Sequence, residues 1–279
     1  MTQRTTLVTG ATGFTGRHMV AYLRSLQRVV IGTVHRPTEG MIACDLTRRD
    51  EVRALLKKHK PDEIFHCAGT FANTWEPDFS TNALAAKHLL EAIAELGLTC
   101  RVLLIGSAAE YGWPDAGAVP ETAPLRPVSV YGLTKVMQTQ IMGFAHRQLK
   151  ADVVMARTFN LLGDGCSPAL FPGRVQQQIA ALQAGTTDHI QVGPLDSRRD
   201  YLPVTAAVQA YDRILQHGAA GEIYNVGSGR ATPLSDVLLD LLQPHGLTRD
   251  IVRVAPLPGP PRPNVPTVYA DVGKLQRLP

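Results

Sequence analysis

Tyr131 and Lys135 stand four residues apart in VYGLTK, inside a pattern that reads as a helix, and this spacing puts a phenol and an ammonium on one face. A phenol with a pKa of about 10 is a poor proton-transfer catalyst at neutral pH, and a nearby ammonium favours its anion. Upstream, the apolar run VLLI is followed by Gly106-Ser107-Ala108-Ala109-Glu110-Tyr111-Gly112, which sets the Ser107 hydroxyl at the carboxyl end of a strand, where open α/β sheets bind ligands. A third cluster lies in LVTGATGFTGRHMVAYL, where Gly10, Gly13 and Gly16 separate a strand from a helix in a G-x-x-G-x-x-G spacing. Glycines there permit a tight turn and close backbone approach to a pyrophosphate, while the helix N-terminus offers free N–H groups. An NAD site expects a carboxylate about twenty positions onward, on the ribose 2′-hydroxyl. Here the second strand ends in Thr33-Val34-His35-Arg36. A guanidinium at that tip pairs with a 2′-phosphate, so NADP (as NADPH) is favoured and NAD is the second option.

Elements able to hold these groups are legible in the first half of the chain. Short β-branched runs at Thr5 to Thr9, Val29 to Val34, Glu63 to His66, Val102 to Ile105 and Val153 to Ala156 alternate with helical patterns at about 14 to 26, 47 to 58, 81 to 96 and 131 to 149. Such alternation predicts β-α-β units in a doubly wound parallel sheet, an α/β Rossmann architecture. Thr47 and Asp50 resemble a capping box for the second helix, with Asp in place of Glu. After Asn160 the texture turns Gly- and Pro-rich around helices near 173 to 184, 204 to 217 and 234 to 243, as a loop-rich part packed beside the sheet would be. The expected division is a dinucleotide-binding domain over 1–160, to which about 201–225 returns, and a smaller substrate-binding domain over 161–200 and 226–279.

Composition narrows the class. The 279 residues are 44% apolar and 19% charged, which excludes a disordered chain. Of the 28 basic residues 21 are arginine, scattered in runs no longer than a pair, and the net charge is +4. That scatter argues against a nucleic-acid groove and suits isolated anion contacts. The four cysteines, Cys44, Cys67, Cys100 and Cys166, form no metal-ligand pattern, so no metal site is expected and they read as reduced thiols of a cytoplasmic protein. No apolar stretch is long enough to span a membrane, and the N-terminus enters a strand without a signal-peptide core.

Taken together, TGATGFTG, Asp45-Leu46, HCAG at 66 to 69, Thr81-Asn82, SAAEYG, YGLTK, RTFN at 157 to 160, RRDYLPV, YNVGSG and RPNVPT resemble the extended short-chain dehydrogenase/reductases that act on nucleotide sugars, the NAD-dependent epimerase/dehydratase family. Within it the chain is most similar to the GDP-4-keto-6-deoxy-D-mannose reductases. The resemblance implies that Tyr131 is the general acid, that Ser107 holds the ketone oxygen, and that Lys135 binds the nicotinamide ribose while lowering the tyrosine pKa. It further implies cofactor contacts from Gly10, Gly13, Phe14, Thr15, Gly16, Arg36, Asp45, Leu46, Ala68, Gly69, Asn82 and Phe159. Glu110, Asn160, Arg174, Arg199 and Arg262 are expected to face a nucleotide-sugar substrate with Ser107, Arg199 and Arg262 lying on its diphosphate. Trp75 fits either a wall of the sugar pocket or a half-buried core position. Relatives pair through the helices near 81 to 96 and 131 to 149, so a homodimer is expected.

Departures from the family pattern also carry information. Asp164 stands where proline usually follows Gly163, Thr205 and Ala206 where an acid is common, and no glutamate follows the Arg-Pro pair beside Asn264. The chain stops at Leu278-Pro279, where relatives continue into a closing helix. Family members that dehydrate a hexose carry an acid two positions before the tyrosine of SAAEYG, where this chain has Ala109, preceded by Ala108. The neighbouring Glu110 would point to the opposite face of an extended segment. Ketone reduction is therefore the leading expectation, a nucleotide-sugar 4-epimerase the rival, and a non-catalytic NADP-binding redox sensor a third reading that the intact Ser107, Tyr131 and Lys135 oppose.

Overall fold

The computed structural model describes residues 4–115, 117–256 and 267–279. In chain order the elements of the first half are β1 (Thr5–Thr9), α1 (Phe14–Ser25), β2 (Val29–Val34), β3 (Ile42–Ala43), α2 (Arg49–His59), β4 (Glu63–His66), α3 (Trp75–Asp78), α4 (Ala85–Glu95), β5 (Arg101–Ser107), β6 (Gly117–Val119), α5 (Val130–Leu149) and β7 (Asp152–Thr158). The second half contributes β8 (Asn160–Leu162), α6 (Phe171–Gln183), β9 (Ile190–Val192), β10 (Arg198–Arg199), β11 (Tyr201–Pro203), α7 (Val204–His217), β12 (Ile223–Val226), β13 (Thr232–Pro233), α8 (Leu234–Leu242), β14 (Val252–Val254), β15 (Thr267–Ala270) and α9 (Gly273–Gln276).

Seven strands form one parallel sheet in the order β12-β7-β5-β4-β1-β2-β3. Successive side chains on a strand point to opposite faces, and each central strand feeds two cores. Leu7, Ile64, Val102, Leu104, Val153 and Met155 bury against α2, α4 and α5 through Leu56, Leu89 and Met142. Their neighbours Val8, Phe65, Leu103, Val154 and Ala156 bury against α1 and α7 through Met19, Leu23, Val208 and Tyr211. Strands apolar on both faces must be covered on both, which is why a near-continuous apolar run here means a sandwiched parallel sheet.

The second half builds a smaller core of Val175, Ile179, Ile190, Val192, Leu238 and Leu242, contributed by α6, β9 and α8. A four-stranded sheet, β13-β10-β15-β6, joins β6 of the first half to strands of the second, and β11 pairs in parallel with β8. The last residues return to the large core: Leu275 of α9 is buried with Val226 and Tyr224, and the Arg213 guanidinium donates to the carbonyls of Leu278 and Pro279.

At the start of α2 the structure corrects the expected capping box. The N-cap is Arg48, without a side-chain cap. Thr47 turns back instead, its N–H and hydroxyl both donating to Asp45 Oδ1 at 2.9 and 2.7 Å, while Glu51 accepts from the Asp45 N–H at 2.8 Å. The shorter Asp50 side chain is thus not needed, because an Asx-type turn already organises the entry.

Candidate active site

The candidate residues Ser107, Tyr131 and Lys135 gather at the carboxyl end of β5 and the first turns of α5. Ser129 caps α5, its Oγ accepting from the Gly132 N–H at 3.0 Å, and the helix then presents Tyr131 and Lys135 along one side. The Ser107 side chain stands near enough to the Tyr131 phenol to favour its anion. Lys135 Nζ lies 5.9 Å from the centre of the Tyr131 ring. It donates to the Ile105 carbonyl at 2.8 Å and to Gln138 Oε1 at 3.2 Å. Asn82, in a π-helical turn at Phe79–Leu84, clasps the segment after β4: its amide accepts from the Thr70 N–H at 2.9 Å and donates to Thr70 O and Thr134 Oγ1. Gly69 sits between them, where a Cβ would lie 3.2 Å from Asn82 Oδ1 and 3.6 Å from Lys135 Nζ.

Burial sets the proton affinities. It pushes the Tyr131 phenol up to about 12; the nearby Ser107 side chain opposes this, and the negative charges of Glu110 and Asp78 add to it. Burial also lowers Lys135 to about 8, against the pull of Glu110, Cys67 and Asp78. Burial is the largest influence on the phenol, and the expected lowering by Lys135 is not among the others; the ammonium lies beside the ring, engaged by Ile105 and Gln138. His66, wholly buried, is held neutral by desolvation and by Lys135, with a pKa of about 3. Its Nδ1 meets Thr9 Oγ1 at 3.0 Å, and that hydroxyl accepts from the Ala68 N–H at 3.2 Å. Two buried atoms by the ammonium, His66 Nε2 and Gln138 Nε2, lack partners among the described residues.

The glycine turn fits a dinucleotide. Gly10 has φ +62°, and a Cβ there would come within 2.8 Å of Ala68 Cα; one at Gly16 would collide with the Gly10 carbonyl. The N-cap of α1 is Gly13, with no side-chain cap and no acid in the first turn, where Phe14, Thr15 and Gly16 follow. Its N–H groups are left to bind an anion. Arg36 is exposed at the end of β2, with no side-chain partner among the described residues. Asp45 lies 3.9 Å from His35. Burial opposes ionisation of its carboxyl, but the Thr47 hydrogen bonds win and keep its pKa below the usual value.

One expected substrate contact is corrected. Glu110 is fully enclosed and ion-paired to Arg157 at 2.9 Å, so it cannot touch substrate. The segment is also not extended: Ala108–Glu110 forms a 3-10 turn. The Leu46 and Phe159 side chains belong to cores, the former with Val52 and Leu89 and the latter with Tyr111, Val119 and Ala270, so what they would offer a cofactor is their backbone. Trp75 is 57% exposed and is not a core residue. Phe71, equally outside the core, meets Tyr131 edge to face at 4.7 Å.

Of the residues expected to face a substrate, Asn160 is exposed, and its amide donates to the Asp200 carbonyl at 2.8 Å. Arg199 is half-buried on β10, its Nη1 on the Arg198 carbonyl. Arg174 on α6 donates to the Ala169 carbonyl at 3.2 Å. Arg262 lies outside the described residues. Sequence reasoning passed over Asp200, which is fully buried and gathers the N–H groups of Ser228, Gly229 and Ala270 at 2.6 to 3.0 Å. The adjacent acid in RRDYLPV was its only signal. All four cysteines are free, and no described helix is long and apolar enough to cross a membrane.

Comparison with known proteins agrees with this geometry. The family model described as NAD dependent epimerase/dehydratase family matches residues 6–227. GDP-6-deoxy-D-mannose reductase of Pseudomonas aeruginosa is 31% identical over 256 residues, covering 87% of this chain and 80% of that protein. UDP-glucose 4-epimerase 2 of Arabidopsis thaliana is 24% identical over 317 residues, covering 98% and 89%. Among solved structures, RMD from Pseudomonas aeruginosa complexed with NADPH superposes with a TM-score of 0.83 at 25% identity, covering 99% of this chain and 92% of that one.

Proposed function

The chain belongs to the NAD dependent epimerase/dehydratase family, and from that premise we propose that it uses NADPH to reduce the C4 ketone of a nucleotide-linked 4-keto-6-deoxyhexose, with GDP-4-keto-6-deoxy-D-mannose the first candidate. The observation that carries the reading is the Ser107, Tyr131 and Lys135 cluster standing beside Ala108 and Ala109. Removing the C5 proton and expelling the C6 hydroxyl of a hexose takes an acid and a base beyond the tyrosine, and two methyl groups supply neither. The relative named GDP-6-deoxy-D-mannose reductase and the neighbour complexed with NADPH support the substrate class and the cofactor.

When bound, NADPH supplies the hydride. Gly10, Gly13 and Gly16 with the N-terminus of α1 would hold its pyrophosphate, Arg36 its 2′-phosphate and Lys135 its nicotinamide ribose. The chain's own part is proton delivery and orientation. The Ser107 hydroxyl donates to the ketone oxygen, and Tyr131, protonated across the neutral range, gives its proton as the alkoxide forms. Ser107 then bonds the phenolate that remains, offsetting part of the cost of burying that charge. Arg199 and Arg174, both on the second half of the chain, would meet the diphosphate of such a substrate, for which planar guanidinium groups are suited.

The likeness to UDP-glucose 4-epimerase 2 over nearly the whole chain favours a second reading, a nucleotide-sugar 4-epimerase, which would return the hydride and keep its nicotinamide. The two are separated by supplying purified protein with GDP-4-keto-6-deoxymannose and NADPH, and separately GDP-mannose with NADP. The reductase reading expects stoichiometric NADPH consumption in the first and no ketosugar in the second. Protein purified with tightly bound nicotinamide, and no net NADPH consumption across a panel of nucleotide ketosugars, would establish the epimerase instead.

A further inference from the structure

We propose that Glu110 is a positioning residue that aims Ser107 at the reacting oxygen. The proposal rests on the reading of Ser107 and Tyr131 as the proton-transfer pair. Glu110 Oε1 accepts from the Ser107 N–H at 2.8 Å, while Ser107 Oγ accepts from the Ala109 N–H at 3.2 Å. These are the reciprocal bonds of a capping box, closed on a single 3-10 turn at the carboxyl end of the central strand. Oε2 faces the other way and accepts from Thr139 Oγ1 at 2.6 Å, Arg157 Nε at 3.1 Å and Arg157 Nη2 at 2.9 Å. The carboxylate is wedged against the backbone as well: a Cβ on Gly106 would lie 2.7 Å from Oε1.

The clamp is itself clamped. Arg157, 1% exposed, donates through Nη1 to the Tyr111 hydroxyl at 3.0 Å. Tyr111 donates to Asn225 Oδ1 at 2.7 Å, and Asn225 Nδ2 donates to the Val119 carbonyl at 2.8 Å. One chain of hydrogen bonds thus runs from β12 through β7 to the residue before the turn, with α5 joining through Thr139, a residue on the same helix as Tyr131.

Stability alone does not account for this arrangement. Taking a carboxylate and a guanidinium out of water costs several kcal/mol per ion, and a well-packed apolar pair of similar volume often serves a core as well or better. What the charged pair adds is direction. An apolar residue at position 110 could fill the space but could not accept from the Ser107 N–H, and the hydroxyl would lose the backbone anchor that sets its approach to the phenol. A displacement of about 1 Å at a reacting group can cost about a hundredfold in rate without weakening binding.

The test is a double-mutant cycle of E110Q with S107A, read as kcat and KM for whichever nucleotide ketosugar the wild-type protein reduces, with NADPH affinity and thermal melting measured alongside. We expect E110Q to lower kcat by about 10- to 100-fold with KM and NADPH affinity changed less than about twofold, and to add less than about twofold in the S107A background. Because E110Q leaves Arg157 unpaired, T139V is run in parallel; it removes one neutral donor from Glu110 and keeps the ion pair. It should lower kcat by about 3- to 10-fold and lose this effect in S107A. A slow S107A with additive losses from E110Q, or from T139V where E110Q does not fold, overturns the positioning role alone. Wild-type kcat in E110Q or T139V also overturns it. An S107A variant at wild-type rate overturns the role given to Ser107 itself, and the positioning role with it.

Discussion

As the proposed acid, Tyr131 meets two demands that pull against each other: it must hold a proton to give, and it must survive as an anion for the instant after giving it. Burial secures the first by raising its pKa to about 12, and the nearby Ser107 side chain, which favours the anion, serves the second. Tyr131→Phe removes only the transferable proton, so turnover should fall by at least about a hundredfold with nucleotide affinity nearly unchanged; steady-state kinetics and NADPH titration decide it, and near-normal turnover would move the acid role to another group. Lys135 adds a pH dependence whose sign follows from its position. With a pKa lowered to about 8 by burial, it is charged below that pH and neutral above, whereas Tyr131 stays protonated throughout. Reduction should therefore decline as pH rises through about 8, from loss of the ammonium and not of the acid. Lys135→Arg keeps its charge, since a guanidinium does not titrate in this range, so a slower enzyme with a flat profile between about pH 7 and 9 is expected; the same decline in the arginine variant would assign it elsewhere.

Elements were legible in proportion to how local their causes are. The five strands of the first half and helices α1, α4, α5 and α7 appear where apolar periodicity puts them, because each answers to its own face of the sheet. The π-helical turn at Phe79–Leu84 does not, since it exists to bring Asn82 onto Thr70 and Thr134, a contact distant in sequence. Short strands such as β3, β10 and β13 were equally hidden, having two residues each and depending wholly on their partners. The capping box illustrates both outcomes. The pattern S-x-x-E is plain in SAAE, but attention to possible substrate contacts gave Glu110 an outward role, while the weaker Thr47 and Asp50 pair was read as a cap. Burial, which depends on β7 and its Arg157, decided between them. The tip of β2 carries a prediction at this scale. Two residues beyond it stands Arg36, exposed and with no side-chain partner among the described residues, so Arg36→Asp should shift catalytic efficiency from NADPH toward NADH by about 10- to 100-fold, the worth of one charge-assisted contact. Equal efficiency with both cofactors in the unmodified protein would count against a 2′-phosphate clamp.

At the scale of the whole molecule, the face formed by α4 and α5 is the place where a second copy would matter most. α5 runs for 20 residues, about 30 Å, and its sheet-facing side is already occupied by Met142 and Ala145. Its outer side still carries Phe144, 55% exposed, next to Ile141. Between this side and α4 lies a cavity of about 280 Å³ lined by Lys87, Leu90, Glu91, Gln140, Ile141 and Phe144. An apolar floor with a charged edge, where Lys87 and Glu91 pair at 2.8 Å, has the composition of an interface core and rim. Since a twofold contact is self-complementary, Phe144 of each copy can enter the cavity of the other, and the contact would brace the helix that carries Tyr131 and Lys135 at its far end. The expected state is thus a homodimer at micromolar concentration by light scattering. Phe144→Glu places a carboxylate in each apolar cavity and should yield a folded monomer, with unchanged circular dichroism. A wild-type monomer, or a Phe144→Glu protein that remains dimeric, would take the contact off this face.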